Sequence, residues 1–443
     1  MRLQSSRSGW CLVYNRAFFN LPACRPDFLA RACHPMVAYT SFAVFLFSAL
    51  ALVLASGFSY GASLLFLGAA VLLWKRPALH LSRDDRWLCW VFAGYFLLSV
   101  LDNGLHHALL REYDAPARFL FAVPVLLVLC AWPSRADAFW GGTAIGAIGA
   151  GVYAAIHHTT ERELMLGGIT NPIQFGNIAI VLGMLSLAGI GWALRQPRRV
   201  LWTALLALGA AGGIAGTVLS GSRGSWLALP FCLGIIVVHY ALTYGRRVLF
   251  AGLGATLILL GGLYVQPDSE VRQRSDLAEK EVQAYFAQKD EESTGTSVGQ
   301  RLEMWRAGAS MIPGHLLLGV GKAGYMERKQ ALIAAGQANP AIAQHTHVHN
   351  DYLDALVKRG IPGLLATLAV LLVPLWLFGR RLRGARSAQP YALGGVLVCT
   401  SYLLFGLTQS FFTHNNGVMM YAFWIAILWT LLRHHSPTPT RAP

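Results

Sequence analysis

Residues 246–289 read RRVLFAGLGATLILLGGLYVQPDSEVRQRSDLAEKEVQAYFAQK. The apolar run ending at Val265 is long enough to cross a bilayer core, which takes about 20 helical residues. It stops at Gln266-Pro267-Asp268, and the residues that follow are charged and amphipathic. One side of that boundary suits lipid and the other suits water. Working outward, twelve apolar segments fall at roughly 37–56, 58–74, 87–105, 117–132, 139–157, 172–194, 199–218, 225–243, 247–265, 361–378, 391–410 and 415–432. One long polar stretch, about 266–360, separates the ninth from the tenth. The expected fold is an all-α integral membrane protein of about twelve transmembrane helices. Its organisation is a tail at 1–36, spans at 37–265, a helical loop at 266–360, spans at 361–432 and a tail at 433–443.

Composition agrees. Of 443 residues, 55% are hydrophobic and 13% charged, about half the charged share of a soluble domain. The 45 glycines suit helices that pack closely in lipid. A net charge of +15 raises nucleic acid as a partner, but the distribution of charge excludes it. With the N-terminus inside, the cytoplasmic segments carry 21 of the 36 Lys and Arg and only four of the 21 acids. That is the positive-inside pattern of a membrane protein. It puts both termini in the cytoplasm and the long loop on the other side. None of the seven cysteines lies in the loop.

In the loop, 271–289, 301–311 and 325–335 have helical amphipathicity, and 291–296 reads as a mobile link. Four features carry chemistry. The turn Ser220-Gly221-Ser222-Arg223-Gly224-Ser225-Trp226 sets an arginine between glycines at a membrane boundary. Arg223 is either an interface arginine in a polar hairpin or an anion ligand, with Ser222 and Ser225 as donors. In Arg301-Leu302-Glu303-Met304-Trp305-Arg306, Arg301 is either a second cation beside Arg223 or the partner of Glu303 or another loop acid. Gly319-Val320-Gly321-Lys322 lacks phosphate-loop spacing, so it is a packing turn with Lys322 as a candidate substrate contact. The fourth, His345-Thr346-His347-Val348-His349-Asn350-Asp351, has three histidines in five residues, on one side of an extended segment if the backbone is straight. They read as a general base with its neighbours, as zinc ligands, or as solvated loop residues. Asp351 and Asp354 beside them read as orienting or helix N-terminal charges. Asn171-Pro172-Ile173-Gln174 and His414-Asn415-Asn416 read as caps or pocket lining.

SGSRGSW, RLEMWRAG, LLLGVG and HVHNDYLDALVKRGIPGLL, in that order around one long loop, resemble the O-antigen ligase family across roughly residues 215–370. One departure is that His315 is followed by Leu316, where the family often has proline, which argues against a catalytic role for His315. The resemblance implies a GT-C-like glycosyltransferase architecture in the bacterial inner membrane, with a periplasmic active site and no metal or other cofactor. It implies a donor glycan on undecaprenyl diphosphate and, for a ligase, a sugar hydroxyl of lipid A–core oligosaccharide as acceptor, with membrane lipids as the surroundings. By residue, it implies Arg223 and Arg301 on the diphosphate and His349 near the acceptor as base. Ser222, Ser225, Lys322, His347, Asn350 and Gln174 complete the expected substrate-binding set. O-antigen polymerases and protein O-oligosaccharyltransferases share these motifs. A transporter would instead place charged residues at mid-membrane.

Overall fold

A computed structural model of the chain describes residues 34–157, 170–265, 269–287 and 291–436. All regular structure among them is helical. In order, the helices are α1 (Pro35–Ala49), α2 (Gly57–Lys75), α3 (Arg83–Leu105), α4 (Asp114–Ala131), α5 (Ala136–His157), α6 (Pro172–Ala193), α7 (Arg199–Leu219), α8 (Ala228–Tyr244) and α9 (Arg246–Val265). The loop contributes α10 (Glu270–Ala287), α11 (Ser297–Ser310) and α12 (Gly321–Ala334). The chain returns through α13 (Asp351–Gly379), α14 (Gln389–Phe405) and α15 (Asn415–His435). Apolar helices stand at all twelve expected places, and ten of the segments are long and apolar enough to cross a membrane. The chain is an all-α integral membrane protein.

Two expected spans are shorter than the hydropathy suggests. The first, read as 37–56, ends at Ala49, and the chain turns back through a left-handed Ser56 into α2. A Cβ on Gly57 would overlap the Leu50 carbonyl, so only glycine can start α2 this close to α1. The eleventh, read as 391–410, ends at Phe405, which frees residues 406–414 for a structured turn. The basic N-terminal residues used to assign orientation (Arg2, Arg7, Arg16, Arg25 and Arg31) and the Gln266–Asp268 junction lie outside the described residues.

α6 and α15 are the most enclosed helices, whereas no residue of α9 is buried. Small residues set the packing around α7. A Cβ at Gly213 would lie 2.6 Å from the Ala179 carbonyl oxygen of α6, and one at Gly212 2.7 Å from the Ala147 carbonyl oxygen of α5. Backbones meet here because no side chain intervenes, the usual basis of helix association in lipid. Charged residues in the apolar helices stand near helix ends. Asp84 and Asp85 pair with Arg380, Arg381 and Arg433 at one face, and the charges of α13 all precede Gly360.

The loop has its own core of Met304, Ala307, Met311, Val320, Tyr325, Ile342, Val348 and Val357. Its link is not loose. Residues Glu291–Gly295 form a short helix, Ser293 and Thr294 are buried, and the Thr296 hydroxyl caps α11 by accepting from the Gly299 amide at 3.0 Å. α13 begins in the loop and bends at Gly360, whose φ of 63° and ψ of −162° are essentially closed to other residues. A Cβ there would also overlap the Leu317 carbonyl. Gly360→Ala is therefore expected to destabilise the protein by roughly 1–3 kcal/mol or more, read as a fall of several degrees in the detergent-solubilised melting temperature. A buried Ala→Gly control on α13 at Ala355 should lose less.

Candidate active site

The histidine segment is held from below by two buried lysines. The Lys329 ammonium donates to the carbonyls of Ala343, at 2.8 Å, and His345. Lys358 donates to the Thr346 carbonyl at 2.9 Å and pairs with Asp354 at 2.7 Å. Asp354 in turn accepts the Val348 amide at 3.1 Å, seating that residue in the loop core. Burying such charges is costly unless they are hydrogen-bonded or paired; Lys358 has both, and Lys329 is held by carbonyls alone. Asn350 then caps α13, its Oδ1 accepting from the amides of Tyr352 and Leu353 while its Nδ2 donates to the Leu407 carbonyl. Its Oδ1 is used in that cap, and one N–H of Nδ2 remains beyond the Leu407 bond.

The segment is not the extended strand that alternate spacing suggests. His349 takes a left-handed φ of 53°, and the turn it makes gathers the rings. Ring centroids lie 4.2 Å apart for His347 and His349 and 5.3 Å for His345 and His349, and His414 joins at 5.6 Å from His347. His345 donates through Nε2 to Gln300 Oε1 at 2.8 Å. Buried His347 has no partner on Nδ1, and burial with its cationic neighbours pushes its pKa down to about 2.

His349 has the arrangement of a base. Its Nδ1 lies 2.5 Å from Gln409 Oε1, and the Gln409 amide nitrogen faces His414 Nε2 at 3.2 Å. An amide oxygen only accepts, so Nδ1 carries the proton and Nε2 keeps its lone pair. Burial pulls the His349 pKa down to about 4, with Arg301 adding to the fall, so the ring is neutral near pH 7. Gln409 is placed by Asp351, whose carboxylate accepts from the Phe411 and Phe412 amides at 3.0 and 3.2 Å while its own amide donates to the Gly406 carbonyl at 2.8 Å. Asp351 and Asp354, read as orienting or helix N-terminal charges, stand in the first turn of α13 and accept backbone amides there.

The cationic half comes from the turn after α7 and from α10 and α11. Arg223 donates to Glu281 at 3.2 Å and to the Arg274 carbonyl at 3.3 Å. The Arg274 guanidinium lies across Gly221, 3.0 Å from where a Cβ would stand, which leaves glycine there at φ 64°. Arg301 does not pair with Glu303. That carboxylate takes Arg306 at 2.6 Å, the Tyr285 hydroxyl at 3.0 Å and the Asn339 amide at 3.0 Å. Among the described residues, no hydrogen bond or ion pair reaches the Arg301 guanidinium. Desolvation lowers its pKa and the Arg223 charge lowers it further. A partly buried cation beside a second cation, with its nearest acid shared out elsewhere, is a place for an anion.

The other expected residues divide. Ser225 is fully buried and spent within the turn, accepting from Thr217 Oγ1 and donating to the Ser222 carbonyl, each at 2.7 Å. The Ser222 hydroxyl is buried without a partner. Lys322 is held by Glu112 at 2.6 Å, against the α3–α4 connection. Gln174 accepts from Asn416 Nδ2 and Thr170 Oγ1, each at 2.7 Å, and lines an open cleft of about 330 Å³ with His414 and Asn416. This cleft reaches the histidine cluster through His414. Among the described residues, no group of His, Cys, Asp or Glu has metal-holding geometry.

Sequence reasoning missed Gln409, Arg274, Glu281 and Lys329. Each acts through a fold contact with no motif around it, although Gln409 lies five residues before the noted His414-Asn415-Asn416.

Fold and site together define a polytopic membrane protein with an arginine–histidine site at one face of its bundle. Residues 208–368 match the model of the O-antigen ligase family, a stretch that holds Arg223, Arg274, Arg301 and His349. This stretch of the chain is similar to the O-antigen ligase family, and the likeness supports a role in lipid-linked glycan transfer. It is also 26% identical over 381 residues to an uncharacterized protein of Haemophilus influenzae, covering 85% of this chain and 94% of that one.

The Gln409 contact sets a sign. A carboxylate facing Nδ1 favours the imidazolium, so Gln409→Glu should raise the His349 pKa from about 4 by at least one unit. Histidine nitrogen NMR in nanodiscs, assigned with His349→Asn, reads the shift. An unchanged pKa would show that the amide does not face the ring.

Proposed function

We propose that the chain is an O-antigen ligase, moving a glycan from undecaprenyl diphosphate to a sugar hydroxyl of lipid A–core oligosaccharide at the periplasmic face of the bacterial inner membrane. The observation that carries the reading is the unpaired Arg301 guanidinium beside Arg223. Guanidinium groups match phosphate oxygens with fixed, paired donors. The partnerless Ser222 hydroxyl adds a donor in the same turn.

The reaction is a single displacement. The acceptor hydroxyl oxygen attacks the anomeric carbon, the bond from that carbon to the diphosphate oxygen breaks with its electron pair, and the configuration inverts. Charge grows on the departing diphosphate, and Arg223 and Arg301 neutralise it without having to reorganise. The hydroxyl proton passes to Nε2 of His349, the ring position that Gln409 leaves open. Because the Arg301 charge helps hold the His349 pKa low, an anion bound to Arg301 offsets that charge and makes His349 a stronger base. Donor binding and proton removal are coupled in this way. The cleft at Gln174, His414 and Asn416 is the approach for one of the sugars.

The test is transfer by purified protein from undecaprenyl-diphosphate glycan to lipid A–core, with EDTA present. Wild type should place glycan on lipid A–core. Arg301→Ala should lose about 10²–10³-fold in kcat/KM and His349→Ala about 10²–10⁴-fold. Glycan that lengthens on its own carrier instead would make the protein a polymerase.

The free enzyme's kcat/KM should stay level from neutral pH down to about pH 5 and fall as His349 protonates near pH 4. Gln409→Glu should move that acid limb upward. A limb that stays in place in this variant would remove His349 from the role of base.

A further inference from the structure

The turn between α11 and α12 exposes three consecutive leucines, Leu316, Leu317 and Leu318, at 47%, 70% and 57% of their surface. Contiguous bare apolar side chains are uncommon on a surface that faces water. Their backbone is fixed: Gly319 donates to the His315 carbonyl, Ile361 donates to the Leu316 carbonyl at 2.9 Å, and Gly360 packs on Leu317. These contacts set the turn beside the bend at which α13 leaves the loop for its apolar course.

A second contact joins the turn to the end of α3. His106 Nε2 donates to the Leu318 carbonyl at 3.1 Å, and the neighbouring Lys322 pairs with Glu112. α3 presents a bare stripe through Trp90, Leu97, Leu101 and Leu105, which carries on into Leu109 and Leu110 in the connection to α4. That stripe is the lipid-facing side of a membrane span. On α13, Leu365, Leu372 and Trp376 are exposed in the same manner. The leucine turn therefore adjoins two lipid-facing surfaces at their loop-side ends.

We propose that Leu316–Leu318 is a membrane anchor of the loop, its side chains seated among the acyl chains of the leaflet on the loop side. The occupant is bilayer lipid because the patch is continuous with faces that already meet lipid. Polar and charged groups border the patch: His106, His107 and Arg111 on one side and His315 and Arg328 on the other. Such a border suits an interface where apolar side chains enter and polar ones stay at headgroup level. The anchor fixes the height of α12, and Lys329 of that helix holds the histidine segment. It therefore sets the distance of the site from the bilayer. This inference does not depend on the ligase reading.

The test uses the full chain in nanodiscs of a single synthetic phospholipid, with the photoreactive residue p-benzoylphenylalanine at 317. Position 257, at mid-span on α9, serves as the lipid-facing control, and position 330, exposed on α12, as the water-facing one. After irradiation, mass spectrometry should find phospholipid adducts at 317 within threefold of the yield at 257 and at least tenfold above that at 330. A yield at 317 no higher than at 330 overturns the proposal, as does a crosslink at 317 mainly to a second copy of the chain. A second probe at 318 should give the same ranking, so a local effect of one substitution cannot decide the result.

Discussion

Glu303 decides where the charge of the site goes. Its two oxygens are shared among the Arg306 guanidinium, the Tyr285 hydroxyl and the Asn339 amide. Arg301, two residues away on another face of α11, has no carboxylate in contact among the described residues. Glu281 is spent in the same way on Arg223 and the Val298 amide. Glu281 and Glu303 thus hold the scaffold together, and Arg301, which faces the histidines, feels Glu281 only at a distance. A protein does not partly bury such a cation without cost. In the proposed reading a bound diphosphate offsets that cost.

His349 and Gln409 lie sixty residues apart, on either side of α13 and α14. Asp351 joins them by holding the backbone of Phe411 and Phe412 against the start of α13, which brings Gln409 under His349. Thr408 closes the third side, since its hydroxyl occupies the space a Cβ on Gly224 would need, next to Arg223. The arginine turn, the histidine segment and the 406–414 turn are therefore one unit, pinned to a bundle whose glycine contacts leave little slack. The transfer proposed above requires the reacting groups to be held at a fixed height and angle, which a unit of this kind favours.

Much of this was legible in the sequence. The spans stood out because a bilayer tolerates only long apolar helices. The arginine turn stood out because an arginine between glycines at a membrane boundary is costly to bury, and the histidine cluster because three of them fall within five residues. What remained hidden depended on contacts across the chain. That Arg306 and not Arg301 takes Glu303 follows from the helix itself, since residues three apart share a face and residues two apart do not, but the Tyr285 and Asn339 contacts that complete the Glu303 shell come from elsewhere in the chain. Gln409 was hidden inside an apolar run that hydropathy extended to 410, although the helix stops at Phe405. The left-handed turn at His349 was equally invisible, because alternate spacing describes a straight segment and a single positive φ undoes it. Lys329 carries no motif within the amphipathic 325–335 stretch, yet it is fully buried beneath the histidines.

The most direct measurement of the central claim is binding without turnover. Native mass spectrometry of the protein with undecaprenyl diphosphate and undecaprenyl monophosphate compares one anionic group against two. The account predicts that wild type holds the diphosphate at least tenfold more tightly, and that Arg301→Ala binds the two lipids about equally while Arg306→Ala keeps the preference. Equal binding of both lipids by wild type, or a preference that survives in Arg301→Ala, would contradict it.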